Sequence, residues 1–361
     1  MIRAVDRGRP SGGRPACAPA GGWRHGRRPS RSRPTSRRIP LSRSPLALAL
    51  PLASALAAAL LAGCATPAAD PTPPATGRPT ASAAPATPAV DRAAADAAFT
   101  ALEERFDARL GVHLVDTGTG AEVSWRADER FAYASTIKAP LAAALLDRVG
   151  IAGMDRAVPI EAADLLSYAP VTETHVGGTM TLRELAEAAM TRSDNTAANL
   201  LLEALGGPAE LDAALTALGD ETTVVSRTEP DLNEATPGDD RDTTTPRAAA
   251  ALLRAYALGD PGALADPLDS DERALFTGWL QATQTGDTLV RAELPTEWTV
   301  GDKSGSGAYA SRGDVAVVWR PDAAPLVIAI HSSRDAPDAE ADDALVSGAA
   351  RAAVQALGTL G

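Results

Sequence analysis

A run of Pro, Thr, Ala and Ser from residue 65 to residue 92 (ATPAADPTPPATGRPTASAAPATPAVDR) divides this 361-residue chain in two. It has too few large apolar side chains to bury a core, and its prolines favour an extended, solvated backbone. The folded body must therefore lie after it, over residues 93–361, which is length enough for a sizeable core. Before it, residues 1–45 are rich in Arg and nearly free of acid, and residues 46–62 (LALALPLASALAAALLA) are apolar and uncharged. A basic leader, a short apolar run and small residues at a cut site make an export signal over 1–63. Seventeen apolar residues with Pro51 among them are marginal for a spanning helix.

Charge follows the same division. The net charge is −12, yet residues 1–63 carry twelve Arg against Asp6, or +11, which leaves −23 on the rest. A body so acidic is not expected to seek nucleic acid or an anionic membrane by charge. Four scattered histidines (His25, His113, His175, His331) show no metal-binding spacing, so neither a zinc site nor any other cofactor is expected. Cys17 and Cys64 both precede the body and cannot staple it.

Leu61-Ala62-Gly63-Cys64 resembles a bacterial lipoprotein box, which implies that Cys64 is acylated and that residues 64–92 tether the body to a membrane. Ser36-Arg37-Arg38-Ile39-Pro40-Leu41 also resembles a twin-arginine signal, so the export route stays open between the two systems. The expected location is the outer face of the cytoplasmic membrane, or secreted or periplasmic if Cys64 stays bare.

Within the body, helical spacing runs through 93–109, and two short strands follow at 112–116 and 122–126. Ala- and Leu-rich helices are expected at 136–148, 181–191, 195–205, 208–218 and 246–258, and another at 272–285. Three strands are expected at 298–304, 314–320 and 325–331, and a closing helix at 338–357. Strands at both ends and helices between them predict a mixed α/β (α+β) fold. Terminal helices would pack on one sheet, with the helical insert as a second lobe. Residues 227–245 are polar and aperiodic, and a loop that long in a compact body is usually functional.

Of 34 basic residues only Lys138 and Lys303 are lysine. Arg stays charged, whereas Lys can be neutralised by burial and can pass protons. Ser135-Thr136-Ile137-Lys138 puts a hydroxyl and an amine one turn apart at the expected start of a helix, with Pro140 early in that helix. Backbone N–H groups there would stabilise an oxyanion, and a desolvated Lys would take the Ser proton. Ser193-Asp194-Asn195 and Lys303-Ser304-Gly305 are each unremarkable alone, the first reading as a helix cap and the second as a hairpin turn. Gly305 and Gly307 would let a ligand approach the backbone closely.

Together and in this order, the three triplets resemble the S-x-x-K, S-D-N and K-T-G set of class A serine β-lactamases and penicillin-binding proteins. Arg227-Thr228-Glu229-Pro230-Asp231-Leu232-Asn233-Glu234 is similar to the class A Ω-loop motif, with Asp242 placed to close the loop on Arg227. Tyr168-Ala169-Pro170 resembles the segment whose Tyr walls the site, and Ser311-Arg312-Gly313 the carboxylate-binding Arg region. The match covers essentially 93–361. It implies a mostly antiparallel five-stranded sheet flanked by terminal helices, plus an all-α lobe, acting as a monomer on a small β-lactam. It departs at Ser304, where Thr is frequent, at Ser306, where Ala is frequent, and in lacking any possible disulfide.

The resemblance also implies roles. Ser135 is the nucleophile, with an oxyanion hole from the N–H groups of Ser135 and Ser306. Lys138 accepts its proton or supports a route through Glu229 and water. Ser193 relays a proton to the departing nitrogen beside Lys303. Asn195 orients Lys138 and a substrate amide. Tyr168, Lys303, Ser304, Gly305, Ser306 and Arg312 line the substrate site, and Glu229 with Asn233 holds the deacylating water. Two alternatives share the triplets, a D,D-peptidase and a lipid-anchored penicillin sensor. Both should lack a working Glu229 and stop at the acyl adduct.

Overall fold

The computed structural model describes residues 89–259 and 264–360. The export signal, Cys64 and the tether up to residue 88 lie outside the described residues. Helix α1 (Arg92–Phe106) leads into the hairpin β1 (Arg109–Asp116) and β2 (Glu122–Trp125), then β3 (Phe131–Ala132) and α2 (Lys138–Gly153). The short strands β4 (Ala157–Pro159) and β5 (Thr179–Thr181) precede α3 (Leu182–Thr191), α4 (Asn195–Leu205) and α5 (Pro208–Leu218). After β6 (Thr243–Thr244) come α6 (Pro246–Leu258) and α7 (Ser270–Gln281). The chain closes with β7 (Thr299–Ser306), β8 (Arg312–Arg320), β9 (Ala323–Ser333) and α8 (Asp343–Ala356).

The main sheet runs β2-β1-β9-β8-β7 and is antiparallel throughout, as the resemblance implied. Its strands end within three residues of the spans read from the sequence. Period-two alternation sorts their side chains between two cores. Leu110, Val112, Ala316, Val318, Ile328 and Ile330 face α1 and α8, while Val315, Val317, Val327 and Ala329 face the helical lobe. With both faces covered, these strands read as nearly continuous apolar runs. Helix α2 is buried from Lys138 to Leu146, so it forms the axis of that lobe. Gly150 (φ 67°, ψ 169°) breaks its last turn.

Side-chain caps set several helix starts. Thr181 and Glu184 form a capping box on α3, Asp269 and Glu272 form one on α7, and Asp194 caps α4. The α7 box starts that helix two residues before the expected span, and the cap on Asp342 starts α8 at Asp343, not 338. Two small ladders were not foreseen, β4 with β5 and β3 with β6. The second joins the chain just before Ser135 to the end of the 227–245 loop.

Candidate active site

Ser135 sits in a 3₁₀ turn (Ala134–Ile137), and α2 begins only at Lys138. This corrects the expectation that Ser135 opens the α-helix. The Thr136 hydroxyl donates back to the Tyr133 carbonyl at 2.7 Å, and the Lys138 N–H bonds to Ser135 and Thr136, tightening the turn. Pro140 then falls in the first turn of α2, where a missing N–H costs little. Ala134 carries a positive φ of 45°, a strained conformation for a residue with a side chain, immediately before the hydroxyl.

The Lys138 ammonium is 1% exposed and lies 3.0 Å from Glu229 Oε1. It donates to Asn195 Oδ1 at 2.6 Å, to the Ser193 carbonyl at 2.9 Å and to Ser193 Oγ at 3.4 Å. Burial pulls its pKa below the usual lysine range, and the Glu229 carboxylate opposes that shift. The Ser135 hydroxyl donates to Glu229 Oε1 at 3.5 Å, so serine and lysine converge on one carboxylate oxygen. Asn233 Nδ2 donates to the other, Oε2. Asn199 on α4 clamps the Glu229 backbone from both sides, accepting from its N–H at 2.9 Å and donating to its carbonyl at 2.8 Å.

The loop carrying Glu229 closes as expected. Arg227 Nε meets Asp242 Oδ2 at 2.5 Å, with Asp242 fully buried. Asp242 also accepts from the Tyr133 hydroxyl at 2.8 Å and from the N–H groups of Ser226 and Arg227. These donors hold its carboxyl below the usual range despite burial.

Ser193, at φ 57°, lies between the two lysines: Lys303 Nζ donates to its Oγ at 3.1 Å. Lys303 also donates to the Ser304 carbonyl at 2.8 Å. Lys303 is wholly buried, and burial first, then the Lys138 charge, pushes its pKa down to about 7. Ser304 Oγ donates to Thr285 Oγ1 at 2.7 Å. Arg312 is held by Asp343 at 2.7 Å and donates to the Gly305 carbonyl at 3.3 Å.

Gly305, near the end of β7, and Gly307, just beyond it, pack closely on neighbouring backbone. A Cβ on Gly305 would stand 2.8 Å from the Tyr133 carbonyl and 3.1 Å from the Ser135 nitrogen. One on Gly307 would stand 2.9 Å from the Asn233 carbonyl. Their missing side chains let the strand end press against the nucleophile turn and the Glu229 loop, so the close approach is to the protein's own backbone. Ser306 follows at the exposed end of β7. Tyr168 (φ 62°) stands at the rim, 61% exposed, and its carbonyl accepts from the Asn195 N–H at 3.0 Å.

Ser135, Lys138, Ser193, Asn195, Glu229, Asn233 and Lys303 are thus joined by one chain of side-chain contacts, while Tyr168 is tied to it through the Asn195 backbone, and Ser304, Gly305, Ser306 and Arg312 stand along or next to the β7 end that carries Lys303. Sequence reasoning missed Asn199, Thr285 and the work of Asp194. That carboxylate is fully buried, caps α4 through the Ala197 N–H, and accepts from the N–H groups of Val171 and Thr172 and the Thr172 hydroxyl. The cap reading of Ser193-Asp194-Asn195 was therefore correct for the middle residue and incomplete for its neighbours.

The profile of the Beta-lactamase enzyme family matches residues 94–357. A Beta-lactamase of Amycolatopsis lactamdurans is 54% identical over 271 residues, 75% of this chain and 86% of that protein. Beta-lactamase AST-1 of Nocardia asteroides is 51% identical over 268 residues, 74% and 84% respectively. Among solved structures, a class A beta-lactamase from Clostridium kluyveri DSM 555 is 42% identical with a TM-score of 0.70, covering 73% of this chain and 98% of that one. A halotolerant bacterial beta-lactamase is 47% identical with a TM-score of 0.69, covering 72% and 98%.

Proposed function

The chain belongs to the class A β-lactamase family and hydrolyses the β-lactam ring through an acyl-serine mechanism, an activity that gives resistance; from that premise we propose how its residues divide the work. Ser135 attacks the lactam carbonyl, and its proton leaves toward the oxygen it already addresses, Glu229 Oε1, with Lys138 3.0 Å from that same oxygen. The N–H groups of Ser135 and Ser306 receive the oxyanion, where one donor is worth about 10²–10³ in rate. The Ser193 hydroxyl, placed between two amines, passes a proton to the departing nitrogen. Asn195 holds Lys138 and meets a substrate amide. Lys303, Ser304 and Arg312 take the substrate carboxylate, which gives an acidic protein a local cationic pocket for an anionic substrate. Tyr168 walls the rim. Glu229, oriented by Asn233 and Asn199, then activates the water that cleaves the ester.

The observation that carries this reading is the Glu229 carboxylate, 3% exposed, held by Asn233 and shared between Ser135 and Lys138. A peptidase or sensor that stops at the adduct has no use for it. The test is a chromogenic cephalosporin assay on the purified protein with intact mass read alongside. Turnover without a lasting adduct is expected, and Ser135→Ala should abolish it. A stable adduct with one burst would favour the sensor.

The protein is further proposed to be exported and held by a lipid on Cys64, acting as a monomer. Support comes from the Leu-Ala-Gly-Cys box after an apolar run. Cys64→Ser should move activity from the membrane fraction to the soluble one. Freely soluble, unlipidated wild-type protein would overturn the anchor.

A further inference from the structure

Beneath the anion pocket two carboxylates share one face of neighbouring strands. Ser304 on β7 stands opposite Asp314 on β8, and Asp302, two residues back along β7, is the diagonal neighbour of Asp314. Both are fully buried. One 3₁₀ turn, Val290–Glu293, grips both: the Val290 N–H donates to Asp314 Oδ2 at 3.1 Å, and Arg291 Nε donates to Asp302 Oδ1 at 2.9 Å. That engages one oxygen of each. The other two, Asp302 Oδ2 and Asp314 Oδ1, are buried and meet no donor. The chain encloses the first tightly, since a Cβ on Gly286 would stand 2.0 Å from Asp302 Oδ2. Two ionised carboxylates in such a place would repel each other and leave two acceptors stranded away from water. A single proton converts one orphan acceptor into a donor and satisfies both oxygens at once.

We propose that Asp302 and Asp314 share one proton, carried on Asp314 Oδ1 and donated to Asp302 Oδ2. Arg291 decides the sides, because its guanidinium holds the negative charge on Asp302. Asp314 has apolar Ile330 opposite it on β9. Burial and the neighbouring Asp302 charge push its carboxyl well above the usual range. The charged groups that act on the pair are Arg291 and Asp287 on one side, Arg312 on β8 and, from the opposite face of the sheet, Lys303 on β7. The proton leaves one negative charge under these cations instead of two, and Arg291 answers that one. Lys303 therefore keeps its charge for an incoming carboxylate, whereas Arg312 is already paired with Asp343, and Asp314 is a positioning residue that acts through Lys303. This last consequence rests on the functional reading above, whereas the proton does not.

The experiment reads the proton and not turnover, so its failure is separable from a failure of the β-lactamase reading. Exposed carboxyls are ionised by about pH 8. An infrared carbonyl band of a neutral carboxylic acid, shifted in D₂O, should persist there in the wild-type protein and vanish in Asp314→Asn. No band would overturn the proposal, even if the variant fails to fold. The pH dependence of melting supplies the second readout. An acid with a raised folded-state pKa loses stability as pH climbs from the unfolded pKa through the folded one. Asn imitates the neutral acid and escapes that loss. The Tm of Asp314→Asn relative to wild type should therefore rise steadily between about pH 5 and pH 8. A difference that is constant or falls with pH would refute the shared proton. Asp302→Asn should instead lower Tm, because it strands Arg291; equal behaviour of the two variants would remove the assignment to Asp314.

Discussion

The two lysines are both buried, both hydrogen-bonded to Ser193, and in opposite electrostatic situations. Lys138 has a carboxylate 3.0 Å away in Glu229, so its charge is answered inside the protein. The hydrogen bonds of Lys303 go to neutral oxygens, Ser193 Oγ and the Ser304 carbonyl, and its pKa falls to about 7. One amine belongs to a finished ion pair. The other is a desolvated amine with no carboxylate among its hydrogen-bond partners. On the functional reading proposed above, the same residue type, equally buried, serves catalysis on one wall and binding on the other through the presence or absence of one carboxylate.

The contrast breaks most visibly on the Glu229 side. Glu229→Gln should leave acylation slowed yet present, since Lys138 and Ser193 remain to take the Ser135 proton when the favoured acceptor is gone, and should stop deacylation, because an amide is a very poor base for water. Turnover should fall by about 10³-fold, about 4 kcal/mol of transition-state stabilisation, with a one-substrate mass shift on Ser135. Full turnover with no adduct would refute the loop assignment. Lys138→Arg comes next. It keeps the charge opposite Glu229 but cannot release a proton near neutrality, and acylation should drop about 10²-fold or more. Pre-steady-state acylation near the wild-type rate would reduce Lys138 to a charge.

Lys303 should show itself through pH. A group with a pKa of about 7 loses its proton as pH rises, so kcat/KM for an anionic substrate should fall about tenfold per unit above that point. A bound carboxylate stabilises the ammonium, so the limb in kcat should lie at higher pH. Coincident limbs in the two profiles would argue against carboxylate binding at Lys303. The smallest effect is on stability. Lys303→Met removes a desolvated cation that lacks a bonded carboxylate, and should raise stability by on the order of 1 kcal/mol, and Tm with it, while weakening substrate binding. The same change at Lys138 strands Glu229 and should lower Tm. Thermal scans in which both variants move the same way would erase the distinction between the lysines.

What could be read in advance followed from how local each signal is. Short strand-like runs between turn residues placed all five strands of the main sheet, and helical spacing of Ala and Leu placed most of the helices, because run length and period are written in consecutive residues. Ser135 and Lys138 were legible as a pair, yet the 3₁₀ turn that holds them was not, since a bond from Thr136 to the Tyr133 carbonyl leaves no periodic trace. The loop from 227 to 245 was legible as aperiodic, while its seam with β3 joins residues more than a hundred positions apart. Asn199 looked like one more polar residue on α4, and Thr285 like the last residue of a helix expected to run to 285, whereas α7 ends at Gln281. Their partners, the Glu229 backbone and the Ser304 hydroxyl, come from other parts of the chain. Asp302 and Asp314 could not be singled out among 46 acids until the strand register put them side by side.

Asp194 bears on how this protein can diverge. One buried carboxylate, flanked by Ser193, the proposed proton relay, and by Asn195, also ties down the backbone that leads away from Tyr168. The rim and the relay are thus indexed to a common point, and a shift in one is transmitted to the other. Descendants of this sequence that acquire bulkier substrates should accept replacements at outward-facing positions such as Tyr168 and Ser306, where a side chain can change and the backbone stay put. Insertions within residues 168–172 would disturb the relay itself, and lineages that carry them should be rare.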